Sequence, residues 1–398
     1  MAHYTYLIIG GGMTADSAVR GIREVDPDGS IGVISAESSP PYNRPPLTKA
    51  LWTGKKTLEQ IWRNTKDRGV DLFLDRRVTQ LDPDARRIVD DRGEAYTYDK
   101  LLLATGGSPR QLPFGDDRIL YFRTVEDYER LRELTGEGRR FAVIGGGFIG
   151  SEIAAALAMN DQDVVMIFPE GGIGALKFPW ELSNYLNEYY REKGVEVLPE
   201  EMVTGLEYRN DQIAIKTRSG REILVDNIIA GIGIQPNTDL AKSAGLETDN
   251  GIVVDEYLHT SHPDIFSAGD VASFYNPILD RRIRVEHEDN ANTQGTLAGR
   301  NMAHEQLGQE LEPYHYLPYF YSDMFDLGFE AVGLLNSDLE TYADWEEPYQ
   351  KGVVYYLQDG RVVGALLWNV WGQLDAARTL MAEAGPFEGE ELSGRIPA

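Results

Sequence analysis

The sequence contains no cysteine in its 398 residues. Disulfide bonds, thiolate metal ligands and every mechanism that depends on a reactive thiol are therefore excluded. The 6 histidines are scattered without the spacing of metal ligands, so we expect no metal site. The sequence also lacks an apolar run that could span a bilayer, and it enters its first apolar strand without a basic flank or a cleavage site. We therefore expect a cytoplasmic protein with no membrane span.

Basic residues are scarce as well. The chain has 38 lysines and arginines against 64 aspartates and glutamates, which gives a formal net charge of -26. This balance predicts no nucleic-acid partner, and an anionic membrane would repel most of the surface. No charged block is long enough to form a tail, so we interpret the acidity as a source of solubility or as an adaptation to a saline cytoplasm.

Glycine, in contrast, is concentrated in motifs. The segment 141–170 reads FAVIGGGFIGSEIAAALAMNDQDVVMIFPE, in which an apolar strand is followed by Gly145, Gly147 and Gly150, a helix of small residues, a second strand and Glu170. The G-x-G-x-x-G spacing allows a tight turn whose backbone N–H groups approach a pyrophosphate at a helix N-terminus. A carboxylate at position 170 can accept ribose hydroxyls and disfavours a 2′-phosphate. The segment therefore predicts an NAD(H) site that prefers NADH to NADPH.

The same pattern occurs at the N-terminus. There YTYLIIGGG is followed by MTA, which puts Gly10, Gly12 and Ala15 at the fingerprint positions, and a second strand leads to Glu37. Two dinucleotide folds in one chain indicate two dinucleotides, because one fold can hold FAD permanently while the other admits and releases NAD(H). Flavoproteins that store electrons in a thiol pair, such as thioredoxin, glutathione and dihydrolipoamide reductases, are excluded because the chain has no cysteine.

The order of these elements predicts an α/β fold. We expect two Rossmann-like dinucleotide-binding domains, with the NAD domain inserted in the FAD domain, and a C-terminal α+β domain built on an antiparallel sheet. A chain of 398 residues is long enough for each of these domains to have its own hydrophobic core. The expected boundaries are 1–112 and 240–312 for the FAD-binding domain, 113–239 for the NAD(H)-binding domain and 313–398 for the C-terminal domain.

Further features concern the connections. Residues 70–110 show short strand patterns, which predict a small antiparallel element laid on the parallel sheet. Thr105 and Gly106 follow a buried strand, where small residues let the backbone approach a cofactor, and the segment that ends at Gly233 repeats this pattern. The C-terminal module cannot bury two faces alone, so we expect it to pack on the FAD domain and to offer a candidate homodimer contact. Residues 386–398 are expected to form a mobile tail.

Several motifs are specific enough to suggest a family. They are PYNRPPLTKALW, LLLATGGSPR, VIGGGFIGSE, MIFPE, IFSAGDVASFY and RVEHEDNA. Over nearly its whole length the chain resembles the glutathione-reductase-like FAD and NAD(P)H flavoproteins. Within them it is most similar to the branch that contains apoptosis-inducing factor and the oxygenase-coupled ferredoxin or rubredoxin reductases. PYNRPPLTK and RVEH are typical of that branch, whereas the glycine motifs occur throughout the class.

The resemblance implies roles for residues in these motifs. Lys49 would lie near flavin N5 with Glu152 as its paired carboxylate, and Phe148 would gate the nicotinamide side of the ring. Tyr321 stands where the family has a tryptophan over the isoalloxazine, and His287 would lie between the nicotinamide and the flavin edge. These five are the candidate catalytic residues. The other expected cofactor contacts are Arg44, Val78, Ile149, Asp270 and Glu286.

The chain departs from the family pattern at further positions. Glu288 replaces a second histidine of apoptosis-inducing factor. Glu37 comes one residue later than the acid that contacts the FAD ribose in the family.

Two functions remain open. As an FAD-dependent NADH oxidoreductase, the protein would move a hydride from NADH to flavin N5 and pass electrons to a ferredoxin, a rubredoxin or a quinone-like acceptor without a redox disulfide. An acidic ferredoxin would need a basic patch, for which Arg281, Arg282 and Arg284 are candidates. As a redox-responsive protein like apoptosis-inducing factor, it would form a long-lived charge-transfer complex of reduced FAD and NAD that controls dimerisation or partner binding.

Overall fold

The computed structural model describes residues 1–136 and 138–398, and the chain divides into two compact units. Unit 1 comprises Met1–Arg44, Thr57–Ser108 and Gln235–Pro318, and unit 2 comprises Pro45–Lys56, Pro109–Ile234 and Tyr319–Ala398. These units are defined by compactness alone, so the expected division into three functional domains stays a prediction.

The regular elements of the described residues are as follows. The α-helices are α1 Met13–Val25, α2 Val125–Leu134, α3 Phe148–Ala158, α4 Trp180–Glu192, α5 Asp239–Ser243, α6 Glu288–Gln306 and α7 Leu374–Met381. The first strands are β1 Ala2–Ile9, β2 Ile31–Ile34, β3 Asp71–Phe73, β4 Val78–Asp82, β5 Arg87–Asp90, β6 Ala95–Leu103, β7 Gly107–Pro109, β8 Ile119–Leu120, β9 Arg140–Ile144, β10 Asp163–Ile167, β11 Glu196–Leu198, β12 Val203–Arg209 and β13 Gln212–Thr217. The later strands are β14 Glu222–Val225, β15 Asn227–Ala230, β16 Ile234–Pro236, β17 Thr248–Asp249, β18 Gly251–Val253, β19 Ile265–Ser267, β20 Ala272–Asn276, β21 Arg281–Ile283, β22 Tyr319–Met324, β23 Leu327–Gly333, β24 Glu340–Glu347, β25 Lys351–Gln358 and β26 Arg361–Trp368.

A mostly parallel sheet forms the centre of unit 1. Its order is β3-β2-β1-β6-β5-β4, and β19 also pairs with β6. Strands β1, β2, β3, β6 and β19 run parallel to their neighbours in this set. Tyr6 and Ile8 of β1 belong to one apolar cluster, whereas Leu7 and Ile9 belong to another. Because successive side chains of a strand point to opposite faces, β1 is buried on both sides.

Glycines bring α1 and α6 into close contact in unit 1. A Cβ at Gly21 would lie 2.0 Å from the carbonyl oxygen of Thr296, and a Cβ at Gly299 would lie 2.1 Å from that of Ala18. Any larger residue at these two positions would force the helices apart. The contact therefore fixes α6 relative to the turn that begins α1.

A second parallel sheet forms the centre of unit 2. Its order is β11-β10-β9-β15-β8, with parallel pairing throughout. Phe141, Ala142 and Val143 of β9 are fully buried, as expected for the central strand of such a sheet. Strands β12, β13 and β14 form a separate antiparallel sheet. The two parallel sheets confirm the predicted pair of Rossmann-like folds.

The C-terminal part of unit 2 is an antiparallel sheet in the order β22-β23-β26-β25-β24. Helix α7 contributes Ala377, Leu380 and Met381 to the interior. This confirms the predicted C-terminal α+β architecture. The expected packing on the FAD domain and the candidate homodimer contact stay predictions.

The antiparallel element predicted between 70 and 110 was placed wrongly. Strands β4 and β5 form an antiparallel hairpin, but β5 also pairs with β6. The hairpin therefore extends the edge of the parallel sheet instead of lying on its face.

Among the described residues, no helix combines the length and the apolar character that a membrane crossing requires.

The mobile tail predicted for the last residues was also wrong. Leu392 and Ile396 are buried. The backbone N–H of Ile396 donates to the Tyr355 hydroxyl at 3.2 Å, and that of Gly394 donates to Asp344 Oδ2 at 2.7 Å. Burial raises the pKa of Tyr355 to about 12, so its hydroxyl stays protonated at neutral pH. Two isolated apolar side chains thus anchor a segment whose polar composition resembles a tail.

Candidate functional site

The turn between β1 and α1 has the geometry of a phosphate-binding site. Gly10 has a φ of 126°, and a Cβ there would lie 2.1 Å from the carbonyl oxygen of Ala104. Gly12 is the N-cap of α1, and a Cβ on it would meet only the Arg44 guanidinium, at 4.0 Å. Ala15, the third fingerprint residue, is buried one turn further along. A helix N-terminus without a side-chain cap, beside a guanidinium, fits the FAD pyrophosphate.

Arg44 and Glu37 form an ion pair in unit 1. Arg44 donates to Glu37 Oε1, and the Tyr42 hydroxyl donates to Glu37 Oε2 at 2.8 Å. A second guanidinium nitrogen of Arg44 lies 3.0 Å from the Tyr42 hydroxyl. Burial alone would lower the pKa of Arg44, but Tyr42 and Glu37 outweigh burial and raise the pKa. Arg44 therefore keeps its positive charge, and the late position of Glu37 still brings its carboxylate to the same cluster.

Thr105 and Gly106 form the turn that leaves β6. Gly106 has a φ of 62°, and its carbonyl accepts from the backbone N–H of Asn237 at 2.9 Å. Thr105 and Asn237 exchange two further hydrogen bonds of 2.8 Å. Val78 begins β4 and packs at the edge of one apolar cluster of the sheet. Asn237 was not predicted as a site residue, although it holds this turn in place.

The turn that carries Asp270 is bound by Gln294 of α6, whose side chain includes an unpaired buried donor. The carbonyl oxygen of Asp270 accepts from Arg284 at 3.0 Å, and the backbone N–H of Gly269 donates to Gln294 Oε1 at 2.9 Å. The Gln294 side chain is buried, and its Nε2 has no hydrogen-bond partner within the part of the chain that the structure describes. Buried amide donors normally have a partner, so this group fits a polar atom of a bound cofactor.

Glu286 and His287 lie where α6 begins. His287 is the N-cap of the helix, and its carbonyl accepts from the backbone N–H of Ala291 at 2.9 Å. Glu286 Oε1 lies 2.6 Å from the Arg284 guanidinium. Glu288 lies in the first turn of the helix. Unit 1 therefore positions Glu286 and His287 at one helix N-terminus.

The candidate basic patch is engaged internally. Arg282 donates to the carbonyl of Val254 at 3.0 Å, and Arg284 binds Asp270 and Glu286 as described. Arg281 is exposed on β21. The three arginines therefore do not form a uniform, fully solvated cationic surface.

The second glycine turn, in unit 2, repeats the geometry of the first. Gly145 has a φ of 116°, and a Cβ there would lie 2.4 Å from the carbonyl oxygen of Gly231. A Cβ at Gly150 would lie 2.1 Å from the carbonyl oxygen of Gly145, so the turn and the helix require glycine at both positions. Gly147 is the N-cap of α3, and a Cβ on it would meet no atom within 4 Å. Ile149 is exposed in the first turn. The helix N-terminus is thus open to a pyrophosphate.

Glu170 follows β10, next to this turn. Strands β9 and β10 are adjacent and parallel, so Glu170 and the glycine turn lie at the same edge of the sheet. The Glu170 carbonyl accepts from the backbone N–H of Glu200 at 2.9 Å. Gly233, with a φ of 89°, follows β15 and repeats the turn found at Gly106. This arrangement fits the adenosine half of a dinucleotide.

Lys49 and Glu152 form an ion pair in unit 2, with exposed side-chain fractions of only 13% and 6%. The carboxylate also accepts hydrogen bonds of 2.5 Å from the Thr48 hydroxyl, on Oε2, and from the Ser322 hydroxyl, on Oε1. An ionised carboxylate can only accept hydrogen bonds, so three donors around Glu152 match its charged form. The structure therefore holds the ion pair that the family resemblance implied.

Aromatic rings adjoin this pair. The Lys49 ammonium lies 5.6 Å from the ring centroid of Tyr321. Phe148, at the start of α3, has ring-centroid distances of 5.6 Å to Phe320 and 5.7 Å to Phe329. Unit 2 thus brings Phe148, Tyr321 and the ion pair together, whereas His287 belongs to unit 1.

Thr48 and Ser322 were missed in the sequence, although both lie in motifs that it contains. Thr48 precedes Lys49 in PLTK, and Ser322 follows Tyr321 in FYSD. A hydroxyl beside a functional residue has no spacing pattern of its own, so only the fold reveals that both bind one carboxylate.

Within residues 1–136 and 138–398, no group of three or more His, Asp or Glu residues is arranged to hold a metal ion.

Comparison with known proteins identifies the family. The family model described as Pyridine nucleotide-disulphide oxidoreductase matches residues 4–295. The model described as Apoptosis-inducing factor, mitochondrion-associated, C-term, matches residues 341–383.

Individual relatives cover nearly the whole chain. It is 37% identical to "Apoptosis-inducing factor 1, mitochondrial" of Dictyostelium discoideum, over 97% of this chain and 79% of that protein. It is 32% identical to "Monodehydroascorbate reductase 3" of Arabidopsis thaliana, over 96% of this chain and 93% of that protein. The crystal structure of the covalent putidaredoxin reductase-putidaredoxin complex superposes with a TM-score of 0.89 at 30% identity, covering 99% of this chain and 96% of that chain.

The two dinucleotide folds, with their open glycine turns, define a two-cofactor oxidoreductase. The chain belongs to the pyridine nucleotide-disulphide oxidoreductase family and is an FAD-dependent NAD(P)H oxidoreductase. The predicted resemblance, the enzyme class and the cofactors FAD and NAD(H) are confirmed. The disulphide of the family name does not describe this member, because it has no cysteine.

Proposed function

We propose that the protein oxidises NADH through its FAD and delivers the electrons to an external carrier of the ferredoxin type. The observation that carries this proposal is the buried Lys49–Glu152 pair, whose carboxylate accepts from three donors. No cysteine is present to store electrons between the two half-reactions. Electrons therefore pass from the nicotinamide through the flavin directly to the acceptor.

The residues of the pair act by charge and position. FAD, when bound, supplies the hydride acceptor and the ability to release electrons singly. Lys49 places a positive charge where the electron-rich ring needs one, and Glu152 keeps the ammonium aimed. Thr48 and Ser322 hold Glu152 in advance, so little reorganisation accompanies the reaction. Phe148 offers the nicotinamide a surface backed by other aromatic rings.

We assign the nucleotide preference to Glu170. Its carboxylate can accept hydrogen bonds from the two ribose hydroxyls of NADH, whereas a 2′-phosphate would meet a like charge. The expected result is a higher kcat/KM for NADH than for NADPH. The cytoplasmic location remains a prediction from the sequence.

A ferredoxin-type acceptor is supported by the likeness to a reductase whose crystal structure contains its putidaredoxin partner. The formal charge of -26 and the internal bonding of Arg282 and Arg284 argue against attraction of an acidic carrier by a basic patch. Like charges associate faster when salt screens them. We therefore expect electron transfer to an acidic ferredoxin to accelerate as ionic strength rises.

The test is anaerobic stopped-flow mixing of the FAD-loaded protein with NADH, followed by mixing with an oxidised [2Fe–2S] ferredoxin. The flavin should bleach with NADH and recover its absorbance as the ferredoxin is reduced, over many turnovers. Lys49→Ala should slow flavin bleaching at least about ten-fold, because a charge is lost beside the reacting ring. Lys55→Ala is the matched control, since Lys55 is exposed in the same segment. Bleaching of Lys49→Ala at the wild-type rate contradicts the proposal.

A second candidate is a redox-responsive flavoprotein, which the match of residues 341–383 and the 37% identity to apoptosis-inducing factor favour. In this role the NADH-reduced protein persists and changes its oligomeric state or its partners. Gel filtration after anaerobic reduction distinguishes the two roles. A persistent long-wavelength band with a new homodimer peak supports the second candidate, whereas rapid turnover with ferredoxin at constant elution volume supports the first.

A further inference from the structure

Trp180 is an exposed aromatic residue that the proposed reaction does not use. It is the first residue of α4, and 60% of its surface is exposed. An indole this exposed is unusual, because tryptophan is highly buried on average. Its position relative to Glu170 suggests what it binds.

The six-membered ring of the indole lies beside Gly171, the residue that follows Glu170. A Cβ on Gly171 would come within 2.7 Å of Trp180 Cζ3, and the next nearest atoms, at 3.4 and 3.7 Å, also belong to the indole. The ring can occupy this place only because residue 171 has no side chain. The indole is therefore held beside the residue that follows Glu170, whose carboxylate is predicted to bind the ribose.

Helix α4 is fastened to the same loop. Asn187, which is buried, donates to the carbonyl of Gly171 at 3.0 Å and accepts from the backbone N–H of Ile173 at 3.1 Å. A Cβ on Gly172 would lie 2.8 Å from that of Ser183, so the loop and the helix touch backbone to backbone. These contacts set the position of Trp180 before any ligand arrives.

The loop also contacts the glycine turn at the start of α3. The backbone N–H of Gly174 donates to the carbonyl of Gly146 at 2.8 Å. The open helix N-terminus, Glu170 and Trp180 thus follow one another along one connected segment. This is the order of pyrophosphate, ribose and adenine in a dinucleotide.

We propose that Trp180 is the stacking platform for the adenine ring of the nicotinamide nucleotide. The proposal rests on the function proposed above, which assigns the pyrophosphate to the α3 turn and the ribose to Glu170. Stacking on an indole adds affinity through the π faces of the two rings. Because the adenine lies at the end of the nucleotide away from the nicotinamide, Trp180 affects binding and leaves the hydride step unchanged.

Calorimetric titration of the FAD-loaded protein tests this role. We compare Trp180→Ala, Trp180→Phe and the control Trp371→Ala. Trp371 is a suitable control because it is similarly exposed, at 52%, and follows β26 of the C-terminal sheet. Trp180→Ala should weaken NAD⁺ and ADP-ribose about 10- to 100-fold, and Trp180→Phe should restore most of the affinity. Nicotinamide mononucleotide, which lacks adenine, should bind all variants equally. ADP-ribose should quench tryptophan emission in the wild type and in Trp371→Ala but not in Trp180→Phe.

Kinetics provide a second readout. Trp180→Ala should raise the KM for NADH and leave kcat unchanged. Gly171→Ala, whose Cβ displaces the indole, should lose affinity for ADP-ribose to a similar extent. Wild-type affinity of Trp180→Ala for ADP-ribose overturns the proposal, even when NADH reduces the flavin normally. A wild-type flavin that NADH does not reduce overturns the proposed function instead, whatever the affinity for ADP-ribose.

Discussion

Replacement of Ser322 by alanine isolates one of the contacts that hold Glu152. The Ser322 hydroxyl is buried and donates to Glu152 Oε1 at 2.5 Å, and the same oxygen is bound by Lys49. Ser322→Ala removes this donor and leaves the Cβ, so the packing of β22 against α3 changes little. The carboxylate cannot recruit water freely in its place, because only 6% of the Glu152 side chain is exposed.

The expected magnitude follows from the charge of the acceptor. A hydrogen bond to an ionised group contributes about 1.5–3 kcal/mol to stability, so the free energy of unfolding should fall by about 2 kcal/mol. Flavin reduction by NADH should slow about 3- to 30-fold, because a loss of about 1.4 kcal/mol in positioning the Lys49 charge corresponds to ten-fold in rate. Ser322→Thr keeps a hydroxyl and should recover both properties.

Urea unfolding and anaerobic stopped-flow reduction measure these effects. Ser183→Ala is the matched control, since Ser183 is fully buried in unit 2 and its hydroxyl has no hydrogen-bond partner in the described part of the chain. It should not lose stability, because no hydrogen bond is removed. The reasoning is refuted if Ser322→Ala is no less stable than Ser183→Ala and reduces its flavin at the wild-type rate.

Three further predictions concern the two folds. Burial of Asp16 opposes its ionisation, but hydrogen bonds from Thr65 and Arg63 outweigh burial and lower its pKa. The ionised carboxylate therefore stabilises the fold fully above the pKa that Asp16 has in the unfolded chain, and this stabilisation is lost as pH falls through the lower pKa of the folded state. Asp16→Asn should therefore lose less urea stability than the wild type below about pH 4. An unchanged decline of stability with falling pH contradicts this prediction. Gly150→Ala, whose Cβ would lie 2.1 Å from a backbone oxygen, should abolish measurable NAD⁺ binding while the bound FAD remains at wild-type content; retention of NAD⁺ affinity is the opposing result. Glu170→Ala should lower the ratio of kcat/KM for NADH to that for NADPH at least about ten-fold, and an unchanged ratio removes Glu170 from nucleotide selection.

The glycine turns could be predicted because the backbone itself determines them. Gly10, Gly145 and Gly150 are required where carbonyl oxygens approach too closely for any Cβ, and this requirement appears directly as spacing in the sequence. The pairing of Lys49 with Glu152 is different in kind. Two residues so far apart in the chain have no local pattern, so only resemblance to a family suggested that they meet.

What the sequence did not reveal depends on tertiary contacts. Thr48 and Ser322 are recognised only when two distant segments converge on one carboxylate. The segment 386–398 looks polar, yet the burial of Leu392 and Ile396 fixes it. Trp180 begins α4, and its exposure could not be inferred from the sequence because helical periodicity describes only the buried side of a helix.

The central claim is that electrons pass from NADH through one flavin to an external carrier, with no other store in the chain. Anaerobic titration of the FAD-loaded protein with NADH tests it most directly. We predict that the flavin bleaches fully with one NADH per FAD, and that two equivalents of an oxidised [2Fe–2S] ferredoxin, each of which accepts one electron, then restore the oxidised spectrum. A flavin that stays oxidised with NADH, or consumption of a second equivalent of NADH before the flavin is fully bleached, would contradict the account.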